Sequence, residues 1–98
     1  MYKTINYLDH NFQVDKIDIR GKQPWTNQVI QEGWDVPSAE EHALMHLHRK
    51  ELNLSAESYW TKESRGGIMA CQFTHGERIT VGAAFKTTPK NIRLIKRL

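Results

Sequence analysis

The run Gly33-Trp34-Asp35-Val36-Pro37-Ser38-Ala39-Glu40-Glu41 constrains the fold more than any other stretch of the chain. Gly33 accepts positive φ and suits the end of a preceding helix. Pro37 fixes its own φ and pushes Val36 towards an extended conformation. Ser38 can cap a following helix, and Glu41, three residues on, can reach back to the Ser38 amide and complete a capping box. Trp34, between the Gly and the Pro, is large enough to anchor a small core. The unit predicts a rigid bend that steers an indole inward and starts a helix at a fixed point.

The helix that Ser38 opens is expected to run from about Ala39 to Leu52. Ala39, Ala43, Leu44 and Leu47 fall on one side of it and are expected to face the core. His42 and His46, spaced i, i+4 with His48 near, are expected on the solvated side. Two imidazoles at that spacing can hold one metal ion. The stretch His42-Ala43-Leu44-Met45-His46 lacks the base that a zinc hydrolase helix carries between its histidines, and the sequence identifies no third ligand. Upstream, Trp25 to Glu32 is expected to form a short first helix, with Pro24 at its start and Trp25, Val29 and Ile30 on one side.

The flanks read as strands. Tyr2 to Ile19 alternates with period two and slips once between Val14 and Ile17, as a hairpin or bulged strand would, with Asp9-His10-Asn11 as its turn. Tyr59-Trp60-Thr61, Ile68 to Thr74, Arg78 to Phe85 and Asn91 to Arg97 are four further strands. Gly66-Gly67 and His75-Gly76-Glu77 are chain reversals between them. Segregated helices and antiparallel strands place the chain in the α+β class.

At 98 residues the chain is expected to be one domain, residues 1–98. Charged residues make up 26%, which is ordinary for a folded domain and argues against disorder. Net charge is +3, too modest to imply nucleic acid by itself. One cysteine, Cys71, rules out an intrachain disulfide. No apolar h-region or membrane-length run is present, so a cytoplasmic protein without a membrane partner is expected.

Four motifs, in order, resemble those of C-type-lectin-like domains. Residues 33–41 look like the G-W-R-L-P-T-x-x-E signature that occurs in bacterial domains of unknown function, and in related form in the formylglycine-generating and sulfatase-modifying group. Tyr59-Trp60-Thr61-Lys62-Glu63 is similar to their Y-W-T/S-S-E strand, Phe73-Thr74-His75-Gly76 to their F-x-x-G hairpin, and Asn91 to Lys96 to their closing x-V-R-L-V/I-R strand. The resemblance implies two helices packed on a small antiparallel sheet, with N- and C-terminal strands adjacent. It also implies a platform whose loops bind a partner. Asp35 stands where the family usually has Arg. The paired cysteines of the formylglycine-generating enzymes are missing, so their oxidase chemistry does not carry over. A Glu-Pro-Asn run of the calcium-dependent sugar-binding kind is also missing.

A buried, inert thiol is expected at Cys71, and a core role for Trp34 and Trp60. No catalytic set, cofactor or metal is expected. The chain reads as a non-enzymatic interaction module of a small bacterial or phage protein. Its strand-connecting loops, with Lys62, Arg65, His75, Arg78 and Lys86, are expected to contact a protein partner. The alternatives are nucleic-acid binding through the same basic turns, or metal binding by His42 and His46.

Overall fold

The capping box forms as the sequence predicts. In the computed structural model, which describes residues 2–98, the Ser38 hydroxyl accepts from the Glu41 amide at 3.1 Å and the Glu41 carboxylate accepts from the Ser38 amide at 2.8 Å. It opens α1, Ala39–His46. Six strands accompany this helix: β1 (Tyr2–Tyr7), β2 (His10–Asp15), β3 (Ser58–Ser64), β4 (Met69–His75), β5 (Ile79–Phe85) and β6 (Ile95–Arg97). They form two antiparallel three-stranded sheets, ordered β1-β2-β6 and β3-β4-β5. The architecture is α+β, as expected, with two small sheets where one was expected.

The chain ends meet through β2. The C-terminal strand β6 pairs with the second strand of the N-terminal hairpin, so β1 and β6 lie on opposite sides of β2. The hairpin turns at Leu8 and Asp9, with Leu8 at φ 52. β2 stops at Asp15, short of the expected Ile19. β6 is three residues long because Ile92 and Leu94 leave the sheet to fill the core.

The expected helix over Trp25–Glu32 is absent. The Trp25 amide donates to the Lys86 carbonyl and the Trp25 indole donates to the Thr61 carbonyl, both at 2.9 Å. Val29 and Ile30 remain exposed. A stretch this short gains little from helix formation alone, and bonds to the second sheet hold it extended instead.

Two apolar clusters make the core. Ile5, Phe12, Val14, Met45, Leu52 and Ile95 join the first sheet to α1 and the turns after it. Val36, Trp60, Ala70, Ile92 and Leu94 pack on the second sheet's other face. Trp60 is fully buried, whereas Trp34 is half-buried against this cluster and against Tyr2. The anchoring indole is therefore Trp60. Val36 and Pro37, rather than Trp34, are the buried part of the bend.

A buried cation ties the layers together. Arg93 donates from Nε to Asp18 at 2.8 Å and from Nη1 to the Leu52 and Asp15 carbonyls at 2.8 and 3.0 Å. Tyr59 donates its hydroxyl to the same carboxylate at 2.9 Å. Burial of that hydroxyl, reinforced by the Asp18 charge, pushes its pKa up to about 12.

Candidate functional site

The helix turns a different face inward from the one its aliphatic residues predict. Glu41, His42, Met45 and His46 are buried, while Leu47 is 71% exposed. His42 and His46, expected in solvent, instead lie over the face of the second sheet that carries Tyr59, Phe73 and His75. The reason is aromatic packing. The His42 ring stacks on Phe73 with centroids 5.3 Å apart and 18° between planes, and His46 stacks on His75 at 5.3 Å and 17°. Neutral imidazole is flat and largely apolar, so it fills such a layer as a small aromatic would.

His75 sits between the two helix histidines. Its Nε2 lies 2.9 Å from His42 Nδ1, and its Nδ1 lies 3.1 Å from His46 Nδ1. A neutral imidazole has one N–H and one lone pair, so His75 donates to one neighbour and accepts from the other. Burial holds the His42 pKa down to about 4. Burial, then the neighbouring His42 and His46, hold His75 down to about 3. Burial and nearby Arg49 lower His46 as well. His42 Nε2 is buried without a hydrogen-bond partner; the Trp60 backbone favours a proton on this ring, yet no bond of good geometry reaches that nitrogen.

This arrangement is a hydrogen-bonded chain rather than a metal cage. His75 spends its two nitrogens on two different neighbours, so no single point meets one nitrogen of each ring. Among the described residues, no three His, Cys, Asp or Glu side chains converge to hold a metal ion. The i, i+4 spacing was legible in the sequence. The third histidine, 29 residues beyond His46, was not.

The five expected contact residues separate into two groups. Lys62, Arg65 and Lys86 share one end of the second sheet, where the Arg65 amide donates to Met69 and the Lys86 amide donates to Ile68. Lys62 and Arg65 are exposed there. Arg78 is exposed at the opposite end, beyond the turn from β4 to β5. His75 is 3% exposed, which corrects its expected role as a surface contact. It closes β4 opposite Ile79, and its ring points under α1 because β4 alternates Cys71, Phe73 and His75 onto that face.

One cation of this end, Lys86, covers an aromatic that the expected contact set did not include. Its Nζ lies 4.5 Å above the Trp25 ring. Ile19, Gln23, Pro24, Trp25, Thr26 and Ile30 line a surface cleft of about 520 Å³. A second cleft of about 260 Å³ joins Asn27, Gln28 and Asp35 to Lys62.

Asp35 has a partner in the last strand. Arg97 binds the carboxylates of Asp35 and Glu41 together. Burial is the largest single influence and alone would raise both carboxyls; the Arg97 hydrogen bond and charge, together with the bonds from Val36 to Asp35 and from Ser38 to Glu41, outweigh it and hold both below the usual range. These bonds to Glu41 and Asp35 raise Arg97 in turn. The pair is structural: it clamps the helix start to β6.

These features define the class: a small α+β protein of two three-stranded antiparallel sheets, with one helix over an aromatic and histidine layer and a cationic end on the second sheet. No family model matches the sequence. No curated protein matches it either. No helix among the described residues is long and apolar enough to cross a membrane.

Proposed function

We propose that the chain is a non-enzymatic binding module on a C-type-lectin-like scaffold, and that it presents one end of its second sheet to an acidic protein surface. One observation carries the reading: Lys86 lies over the ring of Trp25, which lines the 520 Å³ cleft, and Lys62 lines the adjoining cleft that shares Thr26 and Gln28 with it, with Arg65 at the same end of the sheet. Cations at the rim of a partly buried indole suit a carboxylate-rich segment, which they attract by charge. Arg78 and the buried His75 lie outside this surface. The reading retains a small cytoplasmic protein of bacterial or phage origin, in which Cys71 stays a reduced, buried thiol.

The test compares capture of partners by the wild type, by a Lys62→Glu/Arg65→Glu/Lys86→Glu variant and by Arg78→Glu, before and after nuclease treatment. Loss of the captured protein in the triple variant alone supports the proposal. Capture unchanged in the triple variant removes this surface. Capture that disappears with nuclease reassigns the cations to nucleic acid.

A further inference from the structure

The outer strands of the two sheets are not equally protected. β3 is covered along its outer side, where Trp60 donates to the Asn91 carbonyl and Lys62 to the Pro37 carbonyl. β6 is bridged by Asp35, and β1 carries Lys3. β5 has none of these protections. Ile79–Phe85 is seven residues long without a charge or proline, and it pairs on one side only. Natural edges of this length are usually blunted by charge, proline or a covering loop.

The register shows which atoms the free side offers. Lys86 donates to Ile68, and the pairing from Met69↔Phe85 to His75↔Ile79 runs without a shift. Even-numbered residues of β5 therefore bond to β4, and the amides of Ile79, Val81, Ala83 and Phe85 and the carbonyls of Ile79, Val81 and Ala83 face outward without a backbone partner, while the Phe85 carbonyl accepts from the Thr88 amide at 2.9 Å. The side chains of these same four residues lie on the helix face of the sheet. α1 packs mainly over β3 and β4 and covers β5 only in part, so Ile79, Val81 and Phe85 remain 46%, 47% and 56% exposed.

We infer that β5 is a self-association edge, pairing antiparallel with β5 of a second copy about a two-fold axis at Ala83. The strand is its own complement in that register. Val81 meets Phe85, a favourable branched–aromatic pair, around a central Ala83–Ala83 contact. Charge selects the register: an axis at Gly82 sets Arg78 against Lys86, whereas the axis at Ala83 sets Lys86 against Thr80 and Arg78 against Thr88. Both helices then lie on one face of a continuous six-stranded sheet, and the two uncovered apolar strips merge between them. Each copy withdraws three half-exposed apolar side chains and an open backbone edge, on the order of 500 Å². That total lies near the roughly 1,000 Å² at which specific interfaces begin, so the dimer is of micromolar rather than nanomolar affinity.

Sedimentation equilibrium from about 10 μM to about 1 mM tests the inference, since a micromolar dimer forms within that range. The wild type is expected to dimerise with concentration. Ala83→Pro, which removes an amide facing away from β4, and Val81→Lys are each expected to weaken dimerisation at least about tenfold. A wild type that stays monomeric throughout overturns the inference and leaves the edge open to an extended peptide of another protein. So does a dimer that both variants leave intact. Hydrogen exchange of the wild type gives a check independent of the variants' folding: the Val81 and Ala83 amides gain protection with concentration if the edge pairs. Concentration-independent exchange at both overturns it.

Discussion

Nε2 of His75 lies 2.9 Å from Nδ1 of His42, with both rings buried and both held far below the ordinary histidine pKa. Folding therefore keeps these rings neutral over a range where an unfolded chain would protonate them, and the fold becomes sensitive to mild acid.

The sign follows from proton counting. Between about pH 6.5, where an exposed histidine titrates, and about pH 4, the unfolded state binds more protons than the native one. Stability is complete above pH 6.5 and falls as pH drops through this window, by up to about 1.4 kcal/mol per pH unit for each histidine kept neutral. Asp35 and Glu41 have lowered pKa values, so their contribution is lost only in stronger acid. Urea unfolding at pH 7.5, 6.5, 5.5 and 4.5 checks this. A flat profile, or one unchanged by His75→Phe, would exclude the neutral chain of rings.

Arg93 is 1% exposed and binds Asp18 together with three backbone carbonyls. Asp18→Asn leaves its charge buried with weaker compensation. Breaking a buried pair in this way costs about 3–5 kcal/mol. Chemical denaturation measures the loss, and an effect below about 1 kcal/mol would place the Arg93 charge in contact with water.

The two tryptophans should respond differently. Trp60→Ala removes a fully buried indole whose Nε1–H donates to the Gln23 carbonyl at 2.9 Å, and is expected to cost about 3–5 kcal/mol. Trp34→Ala, at a half-buried position, is expected to cost clearly less. Comparing the unfolding midpoints of the two variants settles the order, and a larger loss at Trp34 would return the anchoring role to the bend.

Ser38→Ala removes the hydroxyl that accepts from Glu41 and is expected to cost about 1 kcal/mol, while Ser38→Asp keeps the cap and should be near neutral. Thermal unfolding reads both. Equal losses would mean that packing at Val36 and Pro37, rather than the cap, fixes the helix start.

Some of this molecule was written locally. The cap at Ser38 and Glu41, the reversals at Gly66-Gly67 and Gly76, the pairing of β4 with β5 and the α+β class all rest on interactions between residues a few positions apart, or on period-two alternation, which a sequence displays directly. The start of α1 was fixed in this way, but its inward face was not. Leu44 and Leu47 gave the stronger apolar signal, yet Leu47 is exposed and His42 is buried.

Tertiary structure alone decided the rest. Histidine changes from a polar surface residue to a core ring according to whether a partner supplies stacking and a hydrogen bond, and His75 comes from a strand 33 residues away from His42. Trp25 stays extended because Thr61 and Lys86 satisfy its donors. Asp35 is paired because Arg97 reaches it from a strand far along the chain. Each of these outcomes depends on the energy of a long-range pair, and neither member of such a pair carries a mark that names the other.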